Sequence, residues 1–365
     1  MRWRAAAGGF ALAASAGWNV ANVGAVATRL SHAYGVSLAV VGLFTTGLFL
    51  THAALQIPAG RLSDRLGARA VGLTGLAVVG AASAAALAWR EAAFAIGMRV
   101  LAGVGTGLSF VAGSDYVRAT VGSPLAQGFY GASSVSAGGL ALAIVPHWGG
   151  WRAPFSTAVV VAAAGLVLLA AAPRDPARPR HARTRATIFD RRLLPLAAMH
   201  SASFALSVVI GNWTVTLLER DGGDSAAVAG AVGALTLVLG IVTRPLGGRL
   251  YGRTAPLRVS FLVGGLATGV LALAKPLPLA IVAAAFVGLA AGIPFAPAIA
   301  GAARVRPDAP AAAVGFVNML AALTILVATP LVGLTFSLPG DGRLGFALLA
   351  ALWGLTAFVR LAPRS

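Results

Sequence analysis

Residues Gly60 to Arg69 read GRLSDRLGAR: three arginines and an aspartate set between two long stretches that carry almost no charge. A weaker echo, GRLYGR, stands at Gly248 to Arg253, about half a chain later. When the two are aligned, Gly60 falls on Gly248, Arg61 on Arg249, Leu62 on Leu250 and Arg65 on Arg253, the mark of an internal duplication.

The apolar stretches around these motifs set the class. Of 365 residues, 58% are hydrophobic and 10% charged, where a soluble domain carries about a quarter of its residues charged. Mean hydropathy is +0.85. Runs of about 20 apolar residues recur, each able to cross roughly 30 Å of hydrocarbon at 1.5 Å per helical residue. Read against charged and Pro/Gly punctuation, the first half predicts spans 5–28, 37–59, 70–89, 93–114, 125–146 and 153–172. The second half predicts 193–218, 226–247, 257–274, 276–301, 311–336 and 344–359. The expected fold is an all-α polytopic membrane protein of twelve transmembrane helices, with bundles at 1–172 and 193–365. Between them, PRDPARPRHARTRATIFDRR at 173–192 is too rich in Pro and Arg to pack and reads as a basic linker.

A net charge of +18 would suggest nucleic acid in a soluble protein. Here position decides. With the N-terminus inside, 21 arginines fall on one side, against five arginines and Lys275 on the other. Cytoplasmic loops are enriched in Lys and Arg, so both termini, the linker and both GR motifs are expected on the cytoplasmic side of the plasma (inner) membrane, with no nucleic-acid partner. Arg99 alone is placed well inside a span. There is no cysteine, hence no disulfide and no thiolate metal site. A Gly-x-x-x-x-Gly-Lys-Ser/Thr phosphate loop is absent, as are ligand-spaced His/Asp/Glu clusters and a nucleophile with a nearby base. No cofactor, metal or enzymatic activity is expected. The N-terminal MRWRAAAGGFALAASAGW mimics a signal peptide, but the apolar run continues to about Thr28, long enough to span.

On these residues the chain resembles the major facilitator superfamily. That family's loop between spans two and three reads approximately Gly-x-Leu-Ala-Asp-Arg-x-Gly-Arg-Lys, and Gly60, Leu62, Asp64, Arg65, Gly67 and Arg69 match it. RVLAGVGTG, with Arg99, Gly103, Gly105 and Gly107, is similar to the family's arginine–glycine motif in span four, and GWRAPF at Gly150 to Phe155 to the start of span six. The resemblance covers essentially the whole chain. It implies two six-helix bundles around a cavity that opens alternately to either face: a rocker-switch secondary transporter, working as a monomer in the lipid bilayer on a small-molecule solute. It also implies a cytoplasmic gate, with Asp64 facing the start of span eleven and the end of span four. Arg65, Asp115 and Arg118 match those gate positions, and Gly60, Gly67, Arg69, Gly248, Arg249 and Arg253 complete the paired motifs. The alternative for Asp64 is topology or helix capping.

In this superfamily spans one, four, seven and ten line the cavity. Polar groups inside a membrane are costly and are candidates for function; in those spans they are Trp18, Asn19, Asn22, Arg99, His200, Asn212 and Trp213. WNVAN and GNW occupy comparable depths in the two halves, which places amide donors on both sides of a central site. Arg99 cannot shed its proton and needs an anion, a carbonyl or water, so it either attracts an anionic substrate or holds backbone. No Asp or Glu lies well inside a span. Proton coupling therefore falls to His52 and His200, since imidazole titrates near neutral pH; each alternatively bonds a neighbouring helix. LQIPAGRLSDRLG looks most like the nitrate, nitrite and cyanate branch, although span two offers Thr45, Thr46, Thr51 and His52 where nitrate carriers hold an arginine. The expected solute is small and anionic. The alternative is efflux of lipophilic drugs, but GASSVSAGG at Gly131 to Gly139 lacks the proline of the antiporter motif in span five.

Overall fold

The computed structural model describes residues 2–121, 124–174, 190–250, 253–273, 276–306 and 310–359; among them there is no strand. Backbone in hydrocarbon must satisfy its own N–H and C=O groups, and a helix does so within a single segment. Span one is α1 (Arg2–Ala21) and α2 (Ala27–Tyr34), joined through a 3-10 turn. Span two is α3 (Leu38–Ala54) and α4 (Gln56–Leu66), which meet at Leu55 with a bend of 48°. Spans three to six are α5 (Ala68–Ala85), α6 (Ala92–Thr120), α7 (Pro124–Ile144) and α8 (Ala153–Ala170).

In the second half, span seven is α9 (Leu193–His200), a π-helical turn at Ser201–Leu206, and α10 (Ser207–Leu217). Span eight is α11 (Ala226–Val238) and α12 (Gly240–Arg249), span nine α13 (Thr254–Leu273), and span ten α14 (Leu277–Gly292) and α15 (Phe295–Val305). Span eleven is α16 (Pro310–Thr335) and span twelve begins with α17 (Arg343–Leu355). Among the described residues ten helices are long and apolar enough to cross a bilayer, the bent pair supplies an eleventh, and the shorter apolar Arg343–Phe358 stands where the twelfth is expected. Outward faces carry side chains such as Leu266, Leu273 and Val167, about 70% exposed, as a lipid-facing surface requires.

The duplication extends to the caps. Ser37 opens α3 by accepting from Val40 N, and Ser225 opens α11 by accepting from Val228 N. These serines are the same distance apart in sequence as Gly60 and Gly248. The GRLSDR motif is not a loop as expected: Gly60 to Leu66 continue α4, and the turn sits at Gly67 alone, whose φ of +88° favours glycine. Close approach explains other glycines. A Cβ on Gly17 would fall 1.8 Å from the Ser134 carbonyl, so α1 and α7 touch backbone to backbone.

Arg61, Arg65, Arg191 and Arg249 mark one end of the bundle, the arginine-rich face; Arg90, Arg152 and Glu91 mark the other. Most of the predicted linker, 175–189, and the side chain of Asp64 lie outside the described residues.

Candidate functional site

The halves pack through α3 against α16 and α7 against α11. Toward the arginine-poor face, Thr28 Oγ1 donates to Glu219 Oε2 at 2.6 Å, Thr46 Oγ1 to the Leu326 carbonyl at 2.9 Å, and Asn212 Nδ2 to the Val20 carbonyl at 3.3 Å. Nearby, Trp18 Nε1 donates to Thr157 Oγ1 (3.1 Å), Asn22 Nδ2 to the Pro154 carbonyl (2.8 Å) and Trp213 Nε1 to the Thr329 carbonyl (3.0 Å). The structure thus brings Asn212 against span one, and the predicted donors are all engaged with protein. What remains unpartnered on Asn22 and Asn212 is an acceptor, Oδ1 in each case. A small crevice between the halves is lined by Gly24, Val41, Thr45, Asn212, Trp213 and Thr329.

Arg99 lies in this same layer, seven residues into α6 and so about 10 Å from its arginine-poor end. It is 2% exposed. Its Nε donates to the Phe44 carbonyl (3.1 Å), Nη2 to the Asn19 carbonyl (2.5 Å) and Nη1 to Asn19 Oδ1 (3.2 Å). Asn19 Nδ2 in turn donates to the Ser15 carbonyl at 3.0 Å. All of these partners belong to α1 and α3, so the guanidinium ties one half to itself.

A second buried arginine is Arg244, which falls within the expected span 226–247 although the charge tally counted it with the cytoplasmic side. Arg244 sits in α12, 18 residues beyond Ala226 and about 27 Å along span eight, and is 6% exposed. Its Nη1 donates to the Gly131 carbonyl of α7, in the other half, at 2.8 Å, and its guanidinium carbon lies 3.9 Å from the centre of the Phe295 ring. Its Nε has no acceptor, and no carboxylate faces it among the described residues.

His200 flanks the same ring. It stacks on Phe204 (5.6 Å, 14°) and lies 5.5 Å from Phe295. Its Nε2 meets Asn318 Oδ1 at 3.1 Å, and Asn318 Nδ2 donates to Gln56 Oε1 at 3.0 Å across the halves. Because the Asn318 amide nitrogen is committed to Gln56, its oxygen accepts and His200 Nε2 carries the proton. Nδ1 of His200 is buried without a partner. Gln56 Nε2 donates to the His52 carbonyl (3.2 Å), while His52 Nδ1 bonds Thr106 Oγ1 (3.1 Å) inside the first half.

Irregular backbone surrounds this cluster. Span seven carries its π turn immediately after His200, span eight breaks at Leu239, and span ten breaks at Ile293 and Pro294 just before Phe295. Such breaks at membrane depth are tolerated where they line a cavity, and π turns gather at functional sites. A Cβ on Gly247 would fall 2.1 Å from the Ile293 carbonyl, which fixes α12 against the break before α15. Gln56, Arg244, Phe295 and Asn318 were not singled out because the cavity filter admitted only polar groups, and only in spans one, four, seven and ten. One signal was available: Gln56 and Arg244 share the offset of Gly60 and Gly248. They are repeat-equivalent, and each reaches across to the opposite half.

Of the predicted gate, Arg118 pairs with Asp115 in the same helix at 2.6 Å. Arg69 donates to the Leu169 (3.1 Å) and Ala170 (2.6 Å) carbonyls at the end of α8. Arg65, Gly248, Arg249 and Arg253 are exposed, and Gly60 packs loosely near Val111.

A sequence profile described as the Major Facilitator Superfamily matches residues 9–329. The chain belongs to the Major Facilitator Superfamily. No curated protein sequence matches it. Among solved structures, a crystal structure of a mutant form of the nucleoside transporter NupG is similar over 98% of each chain with a TM-score of 0.76 at 13% identity, a likeness of fold. The superfamily fold of two pseudo-symmetric six-helix bundles is therefore present, and the chain is a multi-pass membrane transporter of the kind that binds small solutes within the bilayer.

Proposed function

We propose that this superfamily member carries a small planar anion, a carboxylate or a nitrate-like oxoanion, and that Arg244 rather than Arg99 receives it. The observation that carries this reading is the unpartnered Nε edge of a buried guanidinium at the junction of the two halves. A guanidinium cannot neutralise itself by losing its proton, and its fork matches two coplanar oxygens. At the Arg99 level the free polar atoms of Asn22 and Asn212 are acceptors, which repel an anion. Opening toward the arginine-rich face would separate Arg244 from Gly131 and Gln56 from Asn318. We place that face in the cytoplasm of a plasma (inner) membrane, on the arginine count, with rocker-switch exchange between faces.

The test is thermal unfolding of purified protein followed by tryptophan fluorescence. Sodium nitrate and sodium acetate are expected to raise the melting temperature of the wild type, since a ligand bound only to the folded state stabilises it. Uridine serves as a neutral comparison. Stabilisation by uridine alone would replace the anion reading with a nucleoside-like one, and anion stabilisation that survives Arg244→Gln would move the site elsewhere.

A further inference from the structure

We infer that His200 is the proton site that couples anion binding to transport, so that solute and proton move together. This rests on the anion reading. The geometry behind it is the shared ring. Phe295 is in contact with both Arg244 and His200, and both side chains present an unsatisfied buried nitrogen.

His200 has one nitrogen fixed and one free. Nε2 is held as a donor by Asn318, itself held by Gln56. A proton arriving at Nδ1 would create a second N–H with no acceptor and a positive charge within electrostatic reach of Arg244. Arg244, from α12, is the charged group within electrostatic reach of the ring. From the other packed elements come Phe295 of α15, Asn318 of α16 and Phe204 of the π turn, none of which titrates. An empty site therefore keeps the imidazole neutral. An anion on the free edge of Arg244 reverses both objections: it offsets the arginine charge and offers an oxygen to Nδ1–H. An opposite charge a few ångströms away favours the protonated ring, and by reciprocity the protonated ring favours the anion. A monovalent anion and one proton, taken from water to Nδ1, then cross as a neutral pair.

His52, the other intramembrane histidine, does not share this arrangement. Its Nδ1 is engaged with Thr106 inside the first half, and Thr106 passes its own proton to the Gly103 carbonyl.

The experiment uses the full chain in proteoliposomes with a pH-sensitive dye inside and the voltage clamped by potassium and valinomycin. Nitrate is the probe, because it does not leak across lipid as its acid. For the wild type, an inward nitrate gradient is expected to acidify the lumen. Nitrate affinity is expected to tighten up to about tenfold for each unit the pH falls through the titration of the ring. His200→Gln, which can still donate to Asn318 but cannot take a proton, should retain nitrate binding within about threefold at high pH. It should also lose at least tenfold of the nitrate-driven acidification and flatten the pH profile. His200→Asn is the second variant should the first fail to fold, and Arg258→Gln on the exposed face of α13 is the control.

Nitrate uptake by the wild type that carries current without acidification overturns the coupling and leaves the anion reading standing. Acidification undiminished in His200→Gln does the same. A wild type that neither binds nor moves nitrate or acetate overturns both.

Discussion

Arg99 and Arg244 are both buried guanidinium groups that no carboxylate faces among the described residues, and their contacts are opposite in kind. Arg99 directs Nε, Nη1 and Nη2 to α1 and α3 of its own half. Arg244 gives one N–H to the other half, rests on an aromatic ring and keeps Nε unmatched. A desolvated cation is tolerated when carbonyls satisfy it, and it is an invitation when they do not. On the proposed reading, what separates the two is not burial but the donor that Arg244 leaves unmatched.

The strongest way to break this contrast is Arg99→Leu. It strands the Asn19 carbonyl and amide oxygen without a charge-assisted donor, and each such loss costs about 1.5–3 kcal/mol. A large fall in melting temperature is expected in fluorescence-detected unfolding, with anion affinity in the surviving protein little changed. An unstable protein that also loses anion binding selectively would put Arg99 back in the site.

Next is Arg244→Gln, expected to weaken anion binding about 100-fold, or about 2.7 kcal/mol, while moving the anion-free melting temperature far less than Arg99→Leu does. Arg244→Lys should recover only part of the affinity, because an ammonium lacks the fork. Smaller again is the clasp across the halves. Gln56→Leu and Asn318→Leu, made singly and together, should show a coupling of about 1 kcal/mol in a double-mutant cycle; strict additivity would mean the bond contributes nothing.

The smallest effect concerns Glu91, outside the spans, whose carboxylate accepts from Ala93 N and Phe94 N at the start of α6. Those N–H groups hold its carboxyl below the usual glutamate value. A depressed value means the stabilisation is present above the ordinary pKa and disappears as pH falls through the depressed one. Glu91→Gln should therefore lower the melting temperature slightly at pH 7, and the difference should vanish in strong acid.

The twelve-span plan and the duplication were legible because a membrane span declares itself by length and composition, and because GRLSDR and GRLYGR stand at matching places. The breaks at Leu55 and Leu239 were not, since the residues around them read as continuous helix, whereas Pro294 marks the break at Ile293. Arg244 was obscured by its neighbours: in TRPLGGR it sits five residues before Arg249, and a charge count assigns both to the same loop. The expected span 226–247 already contained it, but the charge count set that depth aside. Asn212 and Trp213 were singled out by polarity, but polarity could not say that Val20 and Thr329 carbonyls already occupy them.

The contact of Gly247 with Ile293 has a mechanical corollary. With no side chain between them, α12 and the break before α15 lie backbone to backbone, a contact that would carry the arginine on one and the phenyl ring beyond the other as a single wedge. The stroke that withdraws this wedge from Gly131 would then also unseat whatever rests on it, making release of cargo and parting of the halves one event, timed by one barrier.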